Sequence, residues 1–205
     1  MELKKLKSGT DIRGVASEGV EGQHIQLTDE AVTLLGRAFA TWLYKRGCSE
    51  QALIAVGHDC RISAGRIKDA LIAALTKSGM NVLDCGLCTT PAMFMTTVLK
   101  GCDAAVSITA SHHPFNRNGL KFFTPQGGLD GSDISDIIEI AENESFYRIP
   151  TYGKIDKCDF LSRYAEYLRK MIADGVGANV DSQPLKGLHL IVDAGNGAGG
   201  FYADK

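Results

Sequence analysis

Two stretches in the first half of the chain carry apolar residues at helical spacing, and both predict amphipathic helices. The first spans residues 28–45, and its apolar face consists of Val32, Leu35, Phe39, Trp42 and Leu43. Thr28 is a suitable N-cap residue, and Gly47 a suitable stop at the other end. The second follows Ser63, which we expect to cap it, and ends at Gly79. Its apolar face consists of Ile67, Ala70, Leu71, Ala74 and Leu75.

Short apolar runs alternate with helical patterns and predict buried strands, as in domains built from βαβ units. Strands are expected over residues 52–56, 81–83, 104–108 and 120–124. Further helices are expected from Thr89, from about Ser132 and over residues 160–172. This alternation predicts an α/β fold, a layered α/β/α domain with a mainly parallel sheet. We expect the sheet to be mixed, because residues 120–124 follow residues 104–108 after only a short loop.

Composition changes along the chain and predicts three parts. Residues 1–173 contain the alternating pattern and form the predicted first domain. Residues 174–186 are rich in Gly, Asp, Asn and Ser, which is typical of a linker. Residues 187–205 open with the apolar run 188–192, which we expect to be the first strand of a truncated second domain.

Overall composition excludes several classes of protein. Apolar residues make up 44% and charged residues 22% of the chain, and the net charge is −2. Lys and Arg are interspersed with acids, which argues against nucleic acid as a partner. No run approaches the roughly 18–20 apolar residues of a membrane helix, and the N-terminus lacks the apolar region of a signal peptide. Six cysteines without a secretory signal predict reduced thiols in a cytoplasmic protein.

Residues 109–123, Thr-Ala-Ser-His-His-Pro-Phe-Asn-Arg-Asn-Gly-Leu-Lys-Phe-Phe, place many polar side chains between two predicted strands. Pro114 and Gly119 favour a turn-rich loop. Ser111 in this loop either caps a turn or acts as a nucleophile, and a hydroxyl needs a base or a phosphate to become reactive. A phosphate on Ser111 would find counter-charges in Arg13, Arg61, His112 and Lys121.

Three other motifs have both a chemical and a purely structural interpretation. Residues 57–63 join a strand to a helix, so they are either a plain turn or an anion site at the helix N-terminus. Cys85 and Cys88 form a CxxC pair, for which a thioredoxin-like redox role is one interpretation. We favour ordinary thiols, and no second pair completes a zinc site. Gly195 and Gly200 bound a GxGxxG pattern, which by itself is a weak sign of dinucleotide binding.

Six motifs, taken in order, resemble the α-D-phosphohexomutase family of phosphoglucomutases and phosphomannomutases. The Thr-Ala-Ser-His loop, followed ten residues later by Lys121, is the most specific of them. The motifs are SGTDIRG at 8–14, GHDCRIS at 57–63, TTP at 89–91, TASHHP at 109–114, NGLK at 118–121 and VDAGNGAG at 192–199.

The resemblance implies a phosphotransferase of the isomerase class that interconverts hexose 1-phosphates and hexose 6-phosphates. Ser111 would carry the phosphoryl group, His112 and Lys121 would flank it, and Arg13 would hold the phosphate. Further contacts to phosphate or substrate are expected from Thr10, Arg61, His113 and Asn118. The resemblance also implies a hexose bisphosphate as intermediate and activator, and Mg²⁺ bound through the phosphate on Ser111.

Two substitutions and one absence separate the chain from the family pattern. His113 stands where Asn is usual, and His58 stands where Arg is frequent. No Asp-rich metal loop occurs, so the metal loop and the groups that select the sugar are expected in C-terminal domains missing from this chain. We therefore expect the chain alone to be inactive. Two alternatives are a fragment of an NAD-type dehydrogenase, based on Gly195 to Gly200, and a non-catalytic module that binds sugar phosphates.

Overall fold

The computed structural model describes residues 2–205 and contains one sheet between two layers of helices. The strands are β1 (Lys7–Ser8), β2 (Asp11–Val15), β3 (Leu53–His58), β4 (Asn81–Leu87), β5 (Ala104–Ile108), β6 (Arg117–Thr124), β7 (Gly127–Gly128) and β8 (Ile155–Lys157). The α-helices are α1 (Asp29–Lys45), α2 (Ala64–Lys77), α3 (Thr90–Leu99), α4 (Gly131–Glu142) and α5 (Phe160–Gly175). Short 3-10 helices cover Leu3–Leu6, Val180–Ser182 and Ala198–Tyr202. Within residues 2–205, no helix is both long and apolar enough to cross a bilayer.

The sheet is mixed, as predicted, and its strands follow the order β1-β2-β6-β5-β3-β4-β8, with β7 beside β6. Strands β5, β3, β4 and β8 are parallel to one another. The other ladders are antiparallel, and they include β1 and β2, which the apolar pattern did not predict. Because β3 and β5 are parallel neighbours, the loops after them leave the same edge of the sheet.

The α/β/α layering is also confirmed, because two separate apolar clusters cover the two faces of the sheet. Helices α1, α2 and α4 pack on one face, and α3 and α5 pack on the other. Strand β3 shows the alternation, since Ile54 and Val56 belong to the first cluster and Ala55 to the second. Phe39 of α1 meets Phe122 of β6 with ring centroids 4.5 Å apart. The sheet is therefore held on both sides.

The two predicted N-caps have different outcomes. Thr28 caps α1, since its Oγ1 accepts from the backbone N–H of Ala31 at 3.1 Å. Ser63 does precede α2, but its side chain caps nothing in that helix. Its backbone is already helical, with φ −83° and ψ −4°, and its Oγ accepts instead from Nδ2 of Asn118 at 3.0 Å. The expected cap at Ser63 was therefore wrong, and this serine ties α2 to β6.

The expected strand over residues 188–192 is not formed among the described residues. Leu190 and Ile191 are 69% and 89% exposed. A strand needs a partner for its backbone groups, and no described strand pairs with this segment. The GxGxxG turn that follows leads only into the five-residue 3-10 helix Ala198–Tyr202. Among residues 2–205 the pattern therefore has no strand before it and no α-helix after it, and the division into domains stays a prediction.

Candidate functional site

Residues 109–116 connect β5 to β6 and form the serine loop. Ser111 is exposed at this loop and has φ +55°, a left-handed conformation that is uncommon for residues other than glycine. Its backbone N–H donates to Oγ1 of Thr109 at 3.0 Å. Thr109 Oγ1 donates in turn to Oδ2 of Asp59 at 2.8 Å. The strained conformation of Ser111 is therefore held by the turn that follows β3.

Arg61 stabilises the serine loop through hydrogen bonds to its backbone carbonyls. Its Nη1 donates to the carbonyls of Pro114 and Arg117 at 2.7 and 2.9 Å. Its Nη2 donates to the carbonyls of Ser111 and His113 at 2.8 and 2.7 Å. The remaining nitrogen, Nε, lies 3.3 Å from Oδ2 of Asp59. Every N–H of this guanidinium thus faces a protein oxygen, so Arg61 supports the loop, and contact with a phosphate would require it to give up some of these bonds.

The two histidines of the loop lie next to Ser111, as their order in the chain requires. Nδ1 of His112 is 3.3 Å from Oγ of Ser111. The rings of His112 and His113 stack with centroids 5.2 Å apart. Partial burial, followed by the charges of Arg13 and Arg117, lowers the pKa of His113 below its ordinary value. His113 therefore tends to remain a neutral hydrogen-bonding group near neutral pH.

The predicted cations Arg13 and Lys121 are brought together by Asp11, a residue that sequence analysis missed. Oδ2 of Asp11 is 2.6 Å from Nη2 of Arg13, and Oδ1 is 2.8 Å from Nζ of Lys121. Asp11 is only 6% exposed. Such a carboxylate fixes both cations in place and neutralises one of their two charges. Asp11 and Arg13 are two residues apart in the sequence, and in a strand this spacing places two side chains on the same face. That spacing was the signal that could have paired them.

The other two residues predicted to contact phosphate or substrate are Asn118 and Thr10, and only Thr10 is exposed. Asn118 is fully buried, and its Oδ1 accepts from the N–H of Gly119 at 2.9 Å while its Nδ2 binds Ser63. It therefore lies in the interior, where both ends of its amide are already bonded. Thr10 is exposed beside the site, and its Oγ1 is 3.5 Å from Oδ1 of Asp11.

The described residues do not form a complete metal site. Among residues 2–205, no three His, Cys, Asp or Glu side chains are placed to hold a metal ion together. The two carboxylates near Ser111, those of Asp11 and Asp59, both face cations. Cys85 and Cys88 are buried free thiols. Burial raises the pKa of both thiols, that of Cys88 to about 12, so neither is poised for redox chemistry or metal binding.

Comparison with known proteins gives consistent matches. Residues 4–148 match the family model "Phosphoglucomutase/phosphomannomutase, alpha/beta/alpha domain I". A phosphoglucomutase/phosphomannomutase of Thermococcus kodakarensis is 33% identical over 96% of the chain and 41% of its own length. A phosphoglucosamine mutase of Pediococcus pentosaceus is 35% identical over 100% of the chain and 43% of its own length. The chain thus spans about two fifths of the length of these curated relatives.

Solved structures agree on the fold. A structure titled as a putative phosphomannomutase from Thermus thermophilus superposes with a TM-score of 0.62 at 25% identity, covering 81% of this chain and 36% of that one. A family protein from Burkholderia thailandensis superposes with a TM-score of 0.70 at 23% identity, covering 83% of this chain and 36% of that one.

Proposed function

Since the chain belongs to the phosphoglucomutase/phosphomannomutase family, we propose that Ser111 is the phosphoryl carrier of a hexose phosphate mutase. The observation that carries the proposal is the placement of this serine. It lies exposed in a strained conformation, with a histidine nitrogen 3.3 Å from its hydroxyl and two cations on the adjacent ladder. Strain of this kind is common where a group must be presented to a ligand.

The proposed transfer moves one phosphoryl group between two oxygens. The bond from phosphorus to Oγ of phosphorylated Ser111 breaks, and a bond forms from phosphorus to a hydroxyl oxygen of a hexose monophosphate. The proton of that hydroxyl ends on Oγ of Ser111, where His112 Nδ1 is close enough to exchange a hydrogen bond with it. In the second half, the other phosphate of the bisphosphorylated sugar returns to Ser111 by the reverse of the same exchange.

Phosphoryl transfer depends mainly on alignment and on neutralising charge, because the protein does little covalent chemistry itself. Arg13 and Lys121 supply fixed positive charge that Asp11 holds in place. Their side chains are only 17% and 29% exposed, so water screens them less than it would screen surface charges. We propose that they stabilise the charge on the transferring oxygens.

The Mg²⁺ implied by the resemblance does not fit the described side chains alone, because the two nearby carboxylates are already paired with cations. Oxygens of a phosphate on Ser111 would have to be combined with ligands from elsewhere in the protein. We assign no step to the metal. Because the described residues do not complete a metal site, we propose that turnover needs groups outside these 205 residues.

The proposal does not assign the sugar of the substrate, because the relatives include a phosphoglucosamine mutase and phosphoglucomutases. A hexose bisphosphate as activator and a cytoplasmic location also stay predictions. The dehydrogenase alternative has lost its support, since residues 4–148 match the phosphoglucomutase/phosphomannomutase family model and a phosphoglucosamine mutase aligns over 100% of the chain. The non-catalytic module remains the alternative, and it predicts binding of sugar phosphates without turnover.

Replacement of Ser111 by alanine in the protein at its full natural length tests the proposal. We expect mutase turnover, measured with glucose 1-phosphate in a coupled assay, to fall to background because the carrier oxygen is gone. The matched control is Ser145→Ala, which removes the hydroxyl of an exposed serine outside the loop. A loss smaller than tenfold, about 1.4 kcal/mol of activation free energy, would exclude Ser111 as the obligatory carrier.

A further inference from the structure

Arg117 begins β6 next to the serine loop, and among residues 2–205 its side chain has no acidic partner. The neighbouring cations are all paired, namely Arg61 with Asp59, and Arg13 and Lys121 with Asp11. The Nε atom of Arg117 is buried and makes no hydrogen bond to the protein. A buried cationic N–H without an acceptor is costly, so Arg117 has unused capacity to bind an anion.

Strand register places Arg117 on the same face of the sheet as the two site cations. In the β2–β6 ladder Arg13 lies opposite Gly119, and Val15 lies opposite Arg117. Directly opposed residues project to one face, and so do alternate residues along a strand, which adds Lys121. Arg13 and Arg117 are therefore diagonal neighbours, a separation that long side chains can bridge.

Gly119 makes room for this row of cations. A Cβ at Gly119 would lie 2.9 Å from Cγ of Arg13, so the Arg13 side chain crosses over the glycine, between Arg117 and Lys121. The apolar cluster under α3 and α5 contains no residue of β2 and only Phe123 of β6, so this part of the face is polar. Three cations thus form a partly buried row beside the serine loop, with the side chains of Arg13 and Lys121 17% and 29% exposed and Arg117 half-buried.

The charges of the site do not cancel. The cations Arg13, Arg61, Arg117 and Lys121 outnumber the carboxylates of Asp11 and Asp59 by two, in a chain whose net charge is −2. A phosphate monoester carries about −1.5 to −2 charges near neutral pH, which matches this excess. The guanidinium fork also suits the tetrahedral oxygens of a phosphate.

From these observations we infer that Arg117, together with Arg13, binds a dianionic phosphate group beside Ser111. The inference deepens the proposed function and rests on it for the class of ligand, a phosphate monoester. The phosphate belongs either to the phosphorylated serine or to the incoming sugar phosphate, and both present the same dianion to the arginines.

Titration of the Ser111→Ala chain with inorganic phosphate at low ionic strength tests the inference without requiring phosphorylation or turnover. Backbone amide shifts of the serine loop report binding by NMR. Adding Arg117→Gln should weaken the affinity about tenfold, the effect of losing one charge-assisted hydrogen-bonding group. Arg117→Lys should recover part of the affinity because it retains the charge. Arg163→Gln, which removes the same charge from an exposed position on α5, should change the affinity less than twofold.

Three results would overturn the inference: no phosphate binding at the loop of the parent chain, an affinity unchanged by Arg117→Gln, or an equal loss in Arg163→Gln. The pKa of His113 provides a check on proximity, since removing the Arg117 charge should raise it. A raised His113 pKa with unchanged phosphate affinity would show that Arg117 is only a neighbour. Repeating the titration on the chain with Ser111 phosphorylated distinguishes the two sources. If Arg117 holds the phosphoserine, free phosphate no longer binds. If Arg117 serves the sugar phosphate, free phosphate still binds to it.

Discussion

At the scale of single residues, the conformation of Ser111 depends on Arg61. The guanidinium donates to four carbonyls of the loop and its rim at 2.7 to 2.9 Å. Asp59 fixes the guanidinium from the other side and also accepts from Thr109. A planar group with five donors can make all these contacts at once, whereas an ammonium with three donors cannot.

Replacing Arg61 by lysine should therefore loosen the loop while keeping its charge. We expect the free energy of unfolding, from urea titration, to fall by about 2 kcal/mol as hydrogen bonds to the loop carbonyls are lost. Amide hydrogen exchange at Ser111 and His113 should become faster. Arg148→Lys, at an exposed position, is the matched control and should change neither quantity. Unchanged exchange in Arg61→Lys would contradict the role of Arg61 as the brace of the loop.

Sequence reasoning at this scale succeeded for contacts between neighbours and failed for contacts across strands. The meeting of Ser111 and His112 follows from their adjacency. Asp11 meets Lys121 only because β2 is antiparallel to β6, and no local pattern specifies that register. The same limit explains Asn118, which reads as a polar loop residue but begins a buried part of β6.

At the scale of elements, the ladder between β2 and β6 depends on a close approach at Gly119. A Cβ there would lie 2.2 Å from the carbonyl oxygen of Ile12 and 2.9 Å from that of Thr109. Both atoms belong to the backbone, so no side-chain rotation could relieve the contact. Gly119 thus allows the strand that carries Arg13 to lie against the strand that carries Lys121.

Replacing Gly119 by alanine should lower the free energy of unfolding by about 3 kcal/mol, the upper part of the range for overpacked sites. Gly65→Ala is the matched control, because a Cβ at that exposed position of α2 meets nothing within 4 Å. It should be neutral or stabilising, since alanine is the better helix former. Equal stability of the two variants in urea unfolding would contradict the close approach described here.

The elements that sequence analysis predicted are those with a strong local signal. The apolar faces of α1 and α2 and the continuous apolar run of β5 were placed within one or two residues. Strands β1 and β2 were missed because they are short and polar, with Asp11 and Arg13 in their longer member. Such strands are specified by pairing rather than by their own composition.

At the scale of the whole molecule, the site lies where two parallel strands end. Strands β3 and β5 pair up to His58 and Ile108, so the turn with Asp59 and the serine loop leave the same edge together. Ligands commonly bind at this edge of an open α/β sheet. Residues 188–192 are mainly apolar but form no strand in this structure. An apolar run becomes a strand only where a neighbouring strand supplies hydrogen bonds to its backbone.

The most direct test of the role of Ser111 uses the protein at its full natural length, incubated with a hexose bisphosphate. The intact mass is measured, and peptide fragmentation then locates the modified residue. The proposed role of Ser111 predicts the gain of one phosphoryl group per chain, located on Ser111, and no gain in Ser111→Ala. It also predicts loss of that group when a hexose monophosphate is added as acceptor. A protein that turns over substrate yet gains no phosphoryl group, or gains it on another residue such as Thr109, would contradict the claim that Ser111 is the carrier.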